Sequence, residues 1–144
     1  MIGLIISGHG HFATGLRTSL KLIAGEPTNT QYVDFEETDN IESLREKYYG
    51  ALENLANCDS VLALTDLAGG SPFKTLVEVS IESKKAIQVV GGTNLPMALE
   101  ISMTKDIFDD LTTLCDSAVD CGKNSVMKFE LTERKEEINE EDGI

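Results

Sequence analysis

Four short runs rich in Ile, Val and Leu, at residues 2–6, 31–35, 60–64 and 86–90, are separated by longer segments whose apolar residues repeat at helical spacing. Runs this short cannot be helices of ordinary length, and several are too uniformly apolar to leave one face in water, so they read as strands covered on both sides. Strands covered on both faces with helix-sized connections form parallel pairs, because a parallel pair needs a crossover. The pattern β-α-β-α-β-α-β therefore predicts an α/β fold: a doubly wound, mainly parallel four-stranded sheet with helices on both faces.

Start and stop signals bound the helices. The first is predicted over residues 11–24, with Phe12, Leu16, Leu20 and Ile23 along one stripe, Gly25 as its stop and Pro27 beyond. The second begins after Asn40, a good cap, and turns Ile41, Leu44, Tyr48, Leu52 and Leu55 inward. The third opens at Ser71-Pro72, read as a cap residue followed by proline at the first helical position, and carries Phe73, Leu76, Val77 and Ile81. A last helical stretch follows Gly91-Gly92-Thr93-Asn94, runs from Leu95-Pro96 to about Cys121 with an interruption near Lys105-Asp106, and stops at Gly122. Residues 125–131 alternate Val126, Lys128 and Glu130 against Met127, Phe129 and Leu131, which predicts a fifth strand at a sheet edge. One domain is expected over residues 1–131, followed by an acidic, disordered tail over 132–144.

A net charge of −13 opposes binding to nucleic acid or anionic lipid and favours a basic protein partner. No apolar run approaches the ~20 residues needed to cross a bilayer, and the opening residues lack a basic secretion leader, so a cytoplasmic protein is expected. Cys58, Cys115 and Cys121 are odd in number and have no C-x-x-C spacing, which suggests buried thiols in a reducing compartment.

Chemistry in an open parallel sheet gathers beyond the carboxyl ends of the strands. Three loops should converge there: Ser7-Gly8-His9-Gly10-His11, Thr65-Asp66-Leu67-Ala68-Gly69-Gly70-Ser71, and Gly91-Gly92-Thr93-Asn94. A neutral imidazole is a good nucleophile toward phosphorus when its second ring nitrogen is held by a hydrogen bond, and Asp66 is the candidate to hold His9. Gly69-Gly70-Ser71 leads into a helix whose free amides and dipole favour an anion, so these three residues are the candidate phosphate cradle, with the Ser71 hydroxyl as one more donor. His9 and His11 with Asp66 also admit a metal reading, although a His11 that starts a helix diverges from His9.

Three segments carry a resemblance: the opening apolar run ending in Ser7-Gly8-His9-Gly10, the stretch Leu64-Thr65-Asp66-Leu67-Ala68-Gly69-Gly70-Ser71-Pro72-Phe73, and Gly91-Gly92-Thr93-Asn94-Leu95-Pro96-Met97. In order and spacing the chain resembles the enzyme IIA domain of the mannose family of the bacterial phosphoenolpyruvate-dependent sugar phosphotransferase system. The resemblance implies that His9 takes a phosphoryl group from the carrier HPr and passes it to a IIB component, with Asp66 orienting His9 and Ser71 at the helix entry. It implies no metal or other cofactor, an indirect link to the membrane components IIC and IID, and a place in the cytoplasm or, through that complex, at the inner face of the membrane. It further implies a homodimer in which the last strand is exchanged, and a free-standing IIA subunit. Two rival readings are the phosphoryl-donor subunit of dihydroxyacetone kinase and a non-catalytic anion-binding regulatory module.

Overall fold

Strand β1 (Ile2–His9) is buried along all but its last residue, a profile available only to a strand with neighbours on both edges and both faces. The computed structural model, which describes residues 1–132, places it there. The chain continues through α1 (Phe12–Ala24), β2 (Thr30–Phe35), α2 (Ile41–Asn54), β3 (Ser60–Thr65), α3 (Ser71–Glu82), β4 (Ala86–Val90), α4 (Leu95–Thr104), a 3-10 turn (Lys105–Ile107) and α5 (Leu111–Asn124). All strand pairs are parallel and the sheet order is β2-β1-β3-β4. The expected doubly wound α/β architecture is the one found.

The pleat of β1 distributes the core. Ile2, Leu4 and Ile6 point to one face, where they meet Ala13 and Leu20 of α1, Met97, Ala98 and Ile101 of α4, and Leu114 and Ala118 of α5. Ile5 points to the other, against Leu44, Tyr48 and Ala51 of α2 and Leu76 and Val79 of α3. The chain thus leaves β1 on the face of α1 and returns to β3 on the face of α2. Strand order reverses between β1 and β3, which opens a crevice at their carboxyl ends.

Helix entries follow local chemistry. Asn40 and Ser43 form a reciprocal capping box at α2, each side chain accepting from the other's backbone amide at 2.8 and 2.9 Å. Asn94 caps α4 by accepting from the Met97 amide at 3.1 Å. The interruption expected near Lys105 is real: Asp110 accepts from the Thr113 amide at 2.9 Å and starts α5 as a separate helix.

Five expectations need correction. Ser71 is not the cap of α3; Gly70 holds that position, Ser71 is the first helical residue and its side chain makes no capping bond. Gly122 does not end α5, which runs on to Asn124; Gly122 is buried there because Met97 fills the space a side chain would need. Ile41, expected inside, is 48% exposed, since the inward stripe of α2 runs through Leu44-Tyr48-Ala51. The first strand is longer than expected, reaching His9. Residues 126–132 join no ladder among the described residues, and Val126, Met127, Phe129 and Leu131 lie exposed. Alternation alone does not make a strand when no neighbour supplies ladder hydrogen bonds. The tail expected from 132 lies, from residue 133 onward, outside the described residues.

Asn94 ties three pieces together, because its Nδ2 also donates to the Gly122 carbonyl at 3.0 Å and to Ser125 Oγ at 3.2 Å. Asn94→Ala should lower the unfolding free energy in urea by about 2 kcal/mol at unchanged slope, combining a lost cap with two lost side-chain bonds. A change below about 0.5 kcal/mol would mean that α4 and α5 are held by packing alone.

Candidate active site

The crevice at the reversal of strand order is furnished by the last residue of β1, His9, and the first residue after β3, Asp66. The β1–β3 register pairs Ser7 with Thr65, which brings the two side chains together one and two positions farther on. Asp66 Oδ2 accepts from the His9 backbone amide and contacts His9 Nδ1, both at 2.8 Å, while Oδ1 accepts from the Leu67 amide at 2.8 Å. An ionised carboxylate only accepts, so Nδ1 carries the ring proton and Nε2 presents a lone pair.

Burial alone would push the Asp66 carboxyl up; the amide and ring of His9 and the Leu67 amide outweigh it and hold the carboxyl below the usual carboxylate range. The acid form is thus disfavoured, and the ion that fixes the imidazole persists at neutral pH. Phe35, at the end of β2, meets the His9 ring edge-on, with centroids 5.9 Å apart and planes at 68°. The imidazole is fixed on two sides and 44% exposed, open to a group carried on another protein.

The glycines of the motif have steric reasons. A side chain at Gly8 would stand 2.8 Å from Asp66 Cγ, and one at Gly70 would stand 2.9 Å from His9 Cε1. The Cε1 edge of the imidazole therefore lies against the N-cap of α3. Gly69, at φ +81°, makes the turn that delivers this cap. Proline at position 72 has no N–H, so the acceptor-less amides of the first helical turn are those of Ser71 and Phe73. Amides at a helix start, with the positive end of its dipole, are suited to an anion, and here they lie beside the His9 ring.

The structure brings His9, Asp66 and Gly70 into contact, places Ser71 next to them and uses Gly69 for the turn. The loop 91–94 supports the site from behind: the Gly92 and Thr93 amides donate to the carbonyls of Asp66 and Thr65 at 3.2 and 3.0 Å. The metal reading of His9, His11 and Asp66 fails on geometry, because His11 turns to the opposite side. Its Nδ1 lies 3.1 Å from Asp34 Oδ2 and 3.8 Å from Glu36 Oε1, and its side chain is 76% exposed. Asp34 also accepts from the Thr14 amide and hydroxyl at 3.1 and 2.7 Å, so the start of α1 already holds an anion of its own chain. Burial would push Asp34 up, and the bonds from Thr14 and His11 bring it down. Phe35 and Asp34 had a sequence signal that the three-loop reading left unused, since they end the remaining strand of the sheet.

Comparison with known proteins points the same way. Residues 3–119 match a family model described as the fructose IIA component of the phosphotransferase system. The chain is 35% identical over 128 residues to the mannose-specific EIIAB component of Escherichia coli strain K12, an alignment covering 87% of this chain and 38% of that protein. It is 38% identical over 101 residues to the fructose-specific EIIA component of Bacillus subtilis strain 168, covering 70% of this chain and 68% of the relative. The crystal structure of a phosphotransferase-system EIIA component from Streptococcus agalactiae superposes with a TM-score of 0.82 at 29% identity, over 89% of this chain and 97% of that one.

Because the folded pKa of Asp66 is depressed, its contribution to stability is fully present above the ordinary carboxylate value of about 3.9 and is lost as pH falls through the folded value. A carbon-detected NMR titration should place the Asp66 midpoint below about 3.9 in the wild type and higher in His9→Ala, where the ring bond is gone. Equal midpoints in the two proteins would mean that the imidazole does not hold the carboxylate.

Proposed function

The chain belongs to the family of phosphotransferase-system IIA components of the mannose and fructose type, and from that premise we propose that it is a phosphocarrier whose acceptor is His9. The observation that carries the reading is the Asp66–His9 pair: Nδ1 is held at 2.8 Å by a carboxylate, leaving Nε2 free beside the start of α3. The lone pair on Nε2 forms the new N–P bond as the N–P bond of a donor phosphohistidine on HPr breaks, and the donor imidazole leaves with that electron pair. The three phosphoryl oxygens stay on phosphorus throughout. Asp66 offsets the positive charge that arises on the His9 ring, and the amides of Ser71 and Phe73, with the Ser71 hydroxyl, receive the oxygens. Reversal of the same step toward a IIB component empties the site. Positioning and charge supply the catalysis, and neither metal nor nucleotide takes part.

The sugar branch is favoured over the dihydroxyacetone kinase branch because the relatives are named for mannose, fructose and sorbose. One IIA scaffold serving three sugar names suits a domain that hands on phosphoryl groups and leaves sugar choice to the components it feeds. A regulatory anion binder would need the α3 amides but not an imidazole oriented by a carboxylate. A net charge of −13 suits docking of a carrier through a basic face. A second copy of the chain is the partner proposed for residues 125–131, whose exposed Val126, Met127, Phe129 and Leu131 otherwise face water. No helix among the described residues is long and apolar enough to cross a membrane, in keeping with a place in the cytoplasm.

Intact-protein mass spectrometry at neutral pH, after incubation with phosphoenolpyruvate, enzyme I and HPr, tests the reading. The wild type and His11→Ala should each gain one acid-labile phosphoryl group, and His9→Ala should gain none. No gain in the wild type alongside competent HPr would overturn the phosphocarrier assignment.

A further inference from the structure

Every inward residue of α2 but one is apolar: Leu44 and Ala51 are joined by Tyr48, whose side chain is fully buried. Burying a hydroxyl is costly unless it is bonded, and phenylalanine would fill the same space without that cost. The Tyr48 hydroxyl lies 2.7 Å from Ser7 Oγ and donates to the Pro72 carbonyl at 3.3 Å, while Ser7 Oγ donates to the Val33 carbonyl at 2.8 Å. Two hydroxyl protons cover three contacts in this joint, the phenolic proton being shared between Ser7 Oγ and the Pro72 carbonyl, and together they tie β1, β2, α2 and α3.

The placement of that joint matters more than its strength. Ser7 stands two residues before His9 on β1, and Pro72 lies in the first turn of α3, two residues after the Gly70 that touches the imidazole. This turn has no side-chain cap of its own. One hydrogen-bonded link between it and the strand that bears His9 passes through the hydroxyl of Tyr48. Resting on the reading of His9 as the phosphoryl acceptor, we propose that Tyr48 is a positioning residue for transfer, setting the start of α3 against the His9 ring. It touches neither the phosphoryl group nor the carrier. Its effect is exerted through the distance between the imidazole and the amides of Ser71 and Phe73, the quantity to which an in-line transfer is most sensitive.

The test is Tyr48→Phe, which keeps the ring and its packing, with Ser7→Ala as a second route to the same loss. Phosphoryl transfer from phospho-HPr is followed at a temperature where circular dichroism shows wild type and variants fully folded. Tyr48→Phe should lower kcat about fivefold, the size expected for one lost neutral hydrogen bond. KM for phospho-HPr should stay unchanged, because a buried hydroxyl cannot meet the carrier. Ser7→Ala should change kcat in the same direction. A purely structural role would lower the melting temperature and leave kcat at the wild-type value, and that result would overturn the proposal. An effect confined to KM would overturn it as well. Failure of the wild type itself to accept a phosphoryl group would instead remove the acceptor reading, so the two failures are separable.

Discussion

The parallel ladder between β1 and β3 is the interaction on which the rest depends. It sets Ser7 opposite Thr65 and so delivers His9 and Asp66 to one point at the carboxyl end of the sheet. A slip of one residue would invert every side chain of one strand, turning Ile5 into the core of α1 and Leu4 into that of α2. The aliphatic run of β1 makes such a slip costly, since Leu4, Ile5 and Ile6 are all fully buried and Gly3 fits closely against Cys58. Core packing and the geometry of the His9–Asp66 pair are therefore the same constraint seen from two ends of one strand.

The molecule contains two histidine–carboxylate pairs, and the contrast between them explains why one is the proposed site. Both His9 and His11 lie close to an aspartate through Nδ1, at 2.8 and 3.1 Å. At His11 the aspartate also fills the start of α1, bonding the Thr14 amide, so the positive end of that helix is satisfied within the chain. At His9 the aspartate holds Nδ1 and leaves the start of α3 against the neighbouring Cε1 edge, where the Ser71 and Phe73 amides have no acceptor within the helix. An oriented imidazole with an open helix start beside it is the one suited to accept a phosphoryl group.

Much of this was legible in the sequence because it depends on local signals. The four apolar runs, the Asn40 cap and the interruption near Lys105 each report a short-range requirement, and each was met. What could not be read depends on tertiary partners. Gly122 resembles a helix stop, yet it is small because Met97 of another helix packs on it. Residues 125–131 alternate like a strand, but a ladder needs a neighbour, and none among the described residues pairs with them. Tyr48 looks like any aromatic on an amphipathic stripe; its hydroxyl acquires meaning only when β1 and α3 close around it. The Ser71 boundary was missed by one residue because Gly70, able to cap without a side chain, displaced the better-known cap type.

In the proposed transfer Asp66 holds Nδ1 of His9 and thereby dictates which ring nitrogen reacts. Phosphorylated protein carrying nitrogen-15 histidine, studied at alkaline pH by phosphorus–nitrogen correlation NMR, reads the site of attachment directly. Phosphorus coupled to Nε2 of His9, with Nδ1 still protonated, is the result this structure predicts. Phosphorus on Nδ1 would require the Asp66 contact to be broken during transfer and would contradict the account.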